Sequence, residues 1–289
     1  MRLATLPYGE STSAAVLFDT DKVGIVRDLP GRDQSLDVKS LIESPLTPEE
    51  LKVLGERRVV LSGSPALPPL TPPKNVFCVG KNYVAHAIEG SRAEGLAKPD
   101  IPTVPIWFTK AHTSLVGNGG TITPPVGFEA CLDYEGELAV IIGSRCRNLT
   151  PDNWRDAVFG YTVFNDVTAR DIQQQRRQWF KGKSADTFGP IGPWIVTADE
   201  IGDPQSLQLT TTVNGETRQS SNTKNMIFSI GQLLMDLSQG VTLEPGDIIA
   251  TGTPEGVAWG MDEPRYLKPG DQVRVHIENI GQLENIVGS

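Results

Sequence analysis

The stretch LDYEGELAVIIG, Leu132–Gly143, joins an acidic half to an apolar half in one short run. In an extended strand Asp133, Glu135, Glu137, Ala139 and Ile141 share one side, and Tyr134, Leu138, Val140 and Ile142 the other. Three acids then stand on a face that also carries core residues. Carboxylates this close repel one another and resist desolvation unless something positive lies among them. Residues two apart on a strand face have Cα atoms roughly 6–7 Å apart, near enough for both carboxylates to converge on one cation. Alternating acids by themselves more often mean a solvated strand face, so the stretch needs its neighbours to be read.

Outward from it, strand-like runs dominate: NVFCVG, PIWFTK, GYTVFND, GPWIVT, LQLTTTVNG, DIIATGT and DQVRVHIE. Asn214-Gly215 marks a hairpin turn, and PGD recurs at Pro245–Asp247 and Pro269–Asp271 just before strands. Convincing helices are few. The clearest is MIFSIGQLLMDLSQG, Met226–Gly240, ending on a glycine. Before residue 70, short strands accompany a polar helix near Thr47–Gly55 with Thr47 at its N-cap. Between these regions PALPPLTPPK, Pro65–Lys74, places five prolines in ten residues, which neither a helix nor a central strand accommodates. The chain therefore reads as a β-rich α+β protein with a small N-terminal α/β domain over 1–70 and a larger domain over 71–289.

Composition narrows the function. A net charge of −9 over 289 residues argues against a nucleic-acid or anionic-membrane surface and leaves small molecules as the expected partners. The N-terminal MRLATLPYGESTSAAVLF lacks a signal-like apolar run and no stretch reaches membrane-spanning length, so a cytoplasmic location is expected. Cys78, Cys131 and Cys146 show no CxxC spacing, and His86, His112 and His276 no paired ligand spacing. Any metal must be held mainly by oxygen.

Three further segments carry candidate chemistry. In GYTVFNDVTARDIQ, Asp166 falls where an apolar strand breaks, and Thr168 with Asp171 has the spacing of a capping box. Arg170, Gln173 and Lys183 follow within reach of that turn, although a solvated helix face would look similar. In VFCVGKNYVAHAIEG, Asn82 is placed to cap a short helix on which His86 and Glu89 stand three apart. A carboxylate beside an imidazole orients the ring and raises its basicity, as a general base for water requires, yet such pairs are commonly surface pairs. The proline-rich run that follows it suits a mobile lid. In DIIATGTPEGV, the Thr251-Gly252-Thr253 turn offers backbone N–H groups to a substrate carboxylate or is simply a turn.

Taken in order, VGKNYVAHAIE, PIWFTKAHTSLVGNGGTITPP, DYEGELAVIIG, GYTVFNDVTARDIQ, KGKSADTFGPIGPWIV and ATGTPEGV resemble the fumarylacetoacetate hydrolase family, in particular its shorter, acylpyruvase-like members. The resemblance spans roughly residues 76 to 257 and leaves the N-terminal 70 residues unmatched. It implies a mixed β-roll, a homodimer, and a divalent cation on Glu135, Glu137 and Asp166, with Asp133 behind the ligands. Mg²⁺ is the expected ion, with Mn²⁺ or Ca²⁺ as alternatives. His86 and Glu89 are implied as the base pair, Lys183 as a stabiliser of developing oxyanion charge, and Gln173, Arg170 and Thr253 as substrate contacts. The implied reaction is hydrolysis of a carbon–carbon bond in an acylpyruvate or other 2,4-dioxo acid through an enolate on the metal. Decarboxylation or isomerisation of an oxo acid of aromatic catabolism is the alternative within the family. A non-catalytic metal-stabilised binding protein is the alternative outside it.

Overall fold

The computed structural model describes residues 1–19, 22–31, 37–61 and 63–289. The apolar half of the opening stretch forms the strand Gly136–Ile142, buried at every position. Ala139 and Ile141 face one core with Phe164 and Ile248, whereas Leu138, Val140 and Ile142 face another with Val275, Ile277 and Leu234. Such two-sided burial explains the near-continuous apolar run, because neither face meets water.

This strand is central in an eleven-stranded mixed sheet. Val158–Asn165 flanks it antiparallel on one side and Ile248–Ala250 on the other. Val76–Gly80 runs parallel beside Ile248–Ala250, and Ile106–Lys110 completes that edge. A second, five-stranded sheet contains the Gln208–Val213/Glu216–Asn222 hairpin, whose turn residues Asn214 and Gly215 have φ of 52° and 82°. Those values are the type I′ geometry that Asn-Gly favours. The two sheets approach closely at Gly136, where a Cβ would overlap the Thr211 hydroxyl. That contact gives the glycine between Glu135 and Glu137 its reason.

The described strands and helices before residue 70 are continuous with this frame. Arg2–Tyr8 pairs with Gly189–Thr197 at Arg2↔Val196 and Leu3↔Ile195, and Val38, Leu41 and Ile42 of the helix Val38–Glu43 share a core with Ala139 and Ile141. The proline-rich junction thus separates the chain in sequence while sheet and core cross it. Residues 1–70 are proposed as an N-terminal unit, set off by the proline-rich junction and paired to the frame through Arg2–Tyr8.

Helix boundaries differ instructively. Thr47 caps Pro48–Glu56 in a full capping box with Glu50. The helix expected over Met226–Gly240 is Ile230–Ser238, started by a second capping box from Ser229 and Gln232. Thr168 caps nothing: Thr168–Ala169 pairs with Leu132–Asp133, and the helix Arg170–Gln174 begins after Ala169 without a side-chain cap. Asn82 also caps nothing. Its side chain donates to the Phe228 and Thr251 carbonyls and accepts from the Phe228 N–H, tying two loops together. No helix among the described residues is long and apolar enough to cross a membrane.

Candidate active site

Strand register assembles the acids. Gly136 lies opposite Asn165, so Glu135 and Glu137 bracket the point where the neighbouring strand ends, one residue before Asp166. Asn165 Oδ1 accepts the Glu135 N–H at 2.9 Å and the Glu135 carbonyl accepts the Asp166 N–H at 2.8 Å, which locks the break. Oxygens of Glu135, Glu137 and Asp166 lie within 4.8 Å of one another, and all three residues are buried. The uninterrupted strand expected from Asp133 onward is replaced by two ladders with Glu135 between them, so Asp133 diverges from the other acids.

Buried cations balance the cluster in part. Lys183 Nζ is 2.7 Å from both Glu135 Oε2 and Asp166 Oδ2, and Lys110 Nζ is 2.6 Å from Asp166 Oδ1. Arg170 reaches Asp133 Oδ2 at 2.8 Å and Glu135 Oε1 at 2.7 Å. Four carboxylates, counting Asp133, against three cations leave one negative charge over. The deficit falls on Glu137, whose hydrogen bond comes from the Gly252 N–H at 2.8 Å and which forms no ion pair among the described residues.

The proton affinities follow this layout. Burial, Asp166 and Glu135 push the Glu137 carboxyl well above its ordinary range, with Lys183 and the Gly252 N–H opposing them. Burial also opposes the charge on Glu135, yet Lys183, Arg170 and His86 hold it down to about 2. Burial lowers Lys110 despite Asp166. For Lys183, Asp166 and Glu135 outweigh burial and raise it. An all-carboxylate set with one acid short of a partner fits a hard divalent cation such as Mg²⁺, Mn²⁺ or Ca²⁺.

Above the cluster opens a cavity of about 450 Å³. Glu135, Lys183, Arg170, Gln173, Thr253 and His86 line it, with Phe108, Trp179 and Trp259 as apolar walls. Gly80 admits Trp179, because a Cβ there would overlap the indole. His86 Nδ1 lies 3.4 Å from Glu89 Oε2, the limit of a hydrogen bond, and both Glu89 oxygens accept from the Gly256 N–H at 3.1 and 3.2 Å. Six of the nine residues that the resemblance implies line this cavity, while Glu89 contacts His86, Asp166 contacts Lys183 and Glu137 lies beside Glu135. Arg170 is committed to two carboxylates and donates to Gln173 Oε1 at 3.2 Å. The Gly252 N–H, expected to face a ligand, is spent on Glu137.

Two residues of the site carried no assignment from sequence. Lys110 is wholly buried at the end of a strand, and Gln219, also wholly buried, donates to Thr253 Oγ1 and accepts the Gly136 N–H. A lysine closing the strand-like run WFTK reads as a solvated strand end, so the sequence does not show its burial. Gln219 sits in a polar hairpin strand where nothing marks it.

On this β-rich frame a buried carboxylate triad thus lies beside a His–Glu pair. The family described as Fumarylacetoacetate (FAA) hydrolase C-terminal matches residues 75–288, and the chain belongs to that family. It is 48% identical over 218 residues to the oxaloacetate tautomerase YisK of Bacillus subtilis (strain 168), covering 75% of this chain and 70% of that one. The structure of a fumarylacetoacetate hydrolase from psychrophilic Exiguobacterium antarcticum superposes with a TM-score of 0.85 at 40% identity, covering 100% of this chain and 99% of the other. A maleylpyruvate hydrolase from Sphingobium sp. SYK-6, in complex with manganese(II) and pyruvate, gives 0.77 at 30% identity over the whole of both chains.

Proposed function

We propose that the chain is a divalent-metal-dependent hydrolase that cleaves a carbon–carbon bond in an acylpyruvate or related 2,4-dioxo acid. The observation that carries this reading is the Glu135–Glu137–Asp166 cluster under a cavity walled by His86. A divalent cation held by the three carboxylates supplies Lewis-acid polarisation of a substrate carbonyl. The manganese and pyruvate of the Sphingobium hydrolase support a cation and a small oxo acid in this kind of site.

The remaining work falls to side chains. His86 Nδ1 faces Glu89, which leaves Nε2 to take a proton from water, and the Gly256 N–H fixes Glu89 so that the ring has one preferred orientation. Lys183 spends two N–H groups on Glu135 and Asp166 and keeps a third for oxyanion charge at the cavity wall. Thr253 Oγ1 donates to the Gly136 carbonyl and accepts from Gln219, so it presents a fixed edge to the substrate. Phe108 and Trp179, edge to face at 5.3 Å, exclude water from one side.

A second reading, keto–enol interconversion of a four-carbon oxo dicarboxylate, is favoured by the identity to the tautomerase. It needs His86 to move a proton at carbon but needs no water. Hydrolysis is preferred because the His86–Glu89 pair is arranged as a base for water, which keto–enol interconversion does not need. Acetylpyruvate, a larger acylpyruvate and oxaloacetate, each assayed with Mg²⁺, separate the readings. Release of pyruvate from an acylpyruvate is expected. Enol–keto conversion of oxaloacetate with every acylpyruvate left intact would select the second reading, and inertness toward all three would reject both.

A further inference from the structure

Asp133 supplies no oxygen to the carboxylate cluster, and yet it is wholly buried and among the most heavily engaged carboxylates of the protein. Its Oδ1 accepts the N–H groups of Tyr134 at 2.9 Å and Ala258 at 2.8 Å. Its Oδ2 accepts Trp259 N–H at 3.0 Å and Arg170 Nε at 2.8 Å. Two of those donors belong to the turn Ala258–Gly260, and one to the guanidinium that holds Glu135.

The same turn and the residues before it carry the His–Glu pair. Gly256 N–H holds Glu89, Gly260 lies so near that a Cβ there would overlap the Glu89 side chain, and the Gly260 carbonyl accepts Arg92 Nη2 at 2.7 Å. The helix Val84–Ala93 therefore rests on a platform whose underside is nailed to Asp133. Arg170 lies 5.3 Å from the Trp259 ring centroid and packs the other side of that link.

We infer that Asp133 is the positioning residue that keeps the His86–Glu89 pair in register with the carboxylate cluster. This rests on the functional reading above, with His86 as the proton-accepting group. The path has two arms from one carboxylate: through Arg170 to Glu135, and through Ala258 and Trp259 to Gly256, Glu89 and His86. A change at Asp133 lets the two halves drift, and misplacement of reacting groups by about 1 Å can cost on the order of 10²-fold in rate.

Asp133→Asn tests it, because an amide turns one acceptor oxygen into an NH₂ that faces N–H donors. On an acylpyruvate, kcat is expected to fall about 10- to 100-fold in the wild-type background but less than about threefold in a His86→Ala background, since the effect runs through His86. Equal losses in both backgrounds overturn the inference, as does wild-type kcat in Asp133→Asn.

A second arm needs no turnover. Amide exchange across Val84–Ala93 is expected to quicken about tenfold or more in Asp133→Asn while Ile230–Ser238 keeps its protection. Uniform acceleration in both helices, or none in either, overturns the inference. Should Asp133→Asn fail to fold, Ala258→Pro takes its place. It removes one donor to Asp133 at a position whose preceding residue, Val257, has the φ −67° and ψ 151° that a following proline requires. The same exchange and kinetic outcomes are expected and decide in the same way. If wild type turns over none of the oxo acids, the functional reading fails and the exchange arm still decides the placement of the helix.

Discussion

Replacing Lys110 by Met keeps the length of the side chain and removes its charge. Lys110 is wholly buried, pairs with Asp166 Oδ1 at 2.6 Å and donates to the Val167 carbonyl at 3.1 Å. Breaking a buried ion pair from one side typically costs about 3–5 kcal/mol, because the remaining charge is stranded. Asp166 retains Lys183 at 2.7 Å, which places the expected loss near the lower end, about 3 kcal/mol. At roughly 2–4 °C per kcal/mol for a chain of this size class, the metal-free midpoint should fall by about 6–12 °C. The cluster then holds four carboxylates against two cations, so a divalent ion compensates more in the variant than in wild type. Thermal unfolding in EDTA and in millimolar Mn²⁺ reads both quantities, with the gap between the proteins expected to shrink by half or more when the ion is added. Equal midpoints in EDTA, or a gap that Mn²⁺ leaves unchanged, would refute the charge accounting.

His86→Ala should lose about 10² to 10⁴ in acylpyruvate hydrolysis while keeping its metal, as side-by-side kinetics and calorimetry would register; wild-type rates would move the water-activating role elsewhere. The Gly80–Pro105 segment is expected to act as a gate, so amide exchange across Val84–Glu89 should slow when an oxalate-like inhibitor binds, and equal protection with and without it counts against a gate. Burial and its acid neighbours raise the Glu137 carboxyl, so a cation competes there with a proton. Metal affinity should therefore climb with pH above the ordinary carboxylate range, with proton release visible by calorimetry in buffers of different ionisation enthalpy. For folding, the depressed Glu135 contributes stability that is present above pH 4.5 and lost as pH falls toward about 2. Glu137 has the opposite sign, its contribution shrinking as pH rises past 4.5. Metal-free unfolding across pH 2–8 separates the two. The proposed homodimer should sediment near twice the 31.3 kDa chain at low micromolar concentration.

Much of this site could be read from sequence because strand periodicity is short-ranged and strict. LAVIIG declared a core strand, and FND declared where its neighbour would stop. The register that sets Gly136 against Asn165 is a tertiary fact, and it decides that Glu135, Glu137 and Asp166 meet while Asp133 turns away. Local capping patterns succeeded where the chain is exposed, at Thr47, and failed at Thr168 and Asn82, whose polar groups are claimed by other loops and strands. Lys110 escaped because pattern reading treats a strand-end lysine as solvated, and only the assembled sheet shows it under Asp166.

Calorimetric titration of Mg²⁺ or Mn²⁺ into wild type and Glu137→Gln tests the carboxylate triad most directly. Glu137 has one hydrogen bond and no cation partner among the described residues, so its proposed task is to supply a ligand oxygen. One ion per chain is expected for wild type, with affinity at least about tenfold weaker in a folded Glu137→Gln protein. Undiminished affinity in that variant, or no binding by wild type, would contradict the claim.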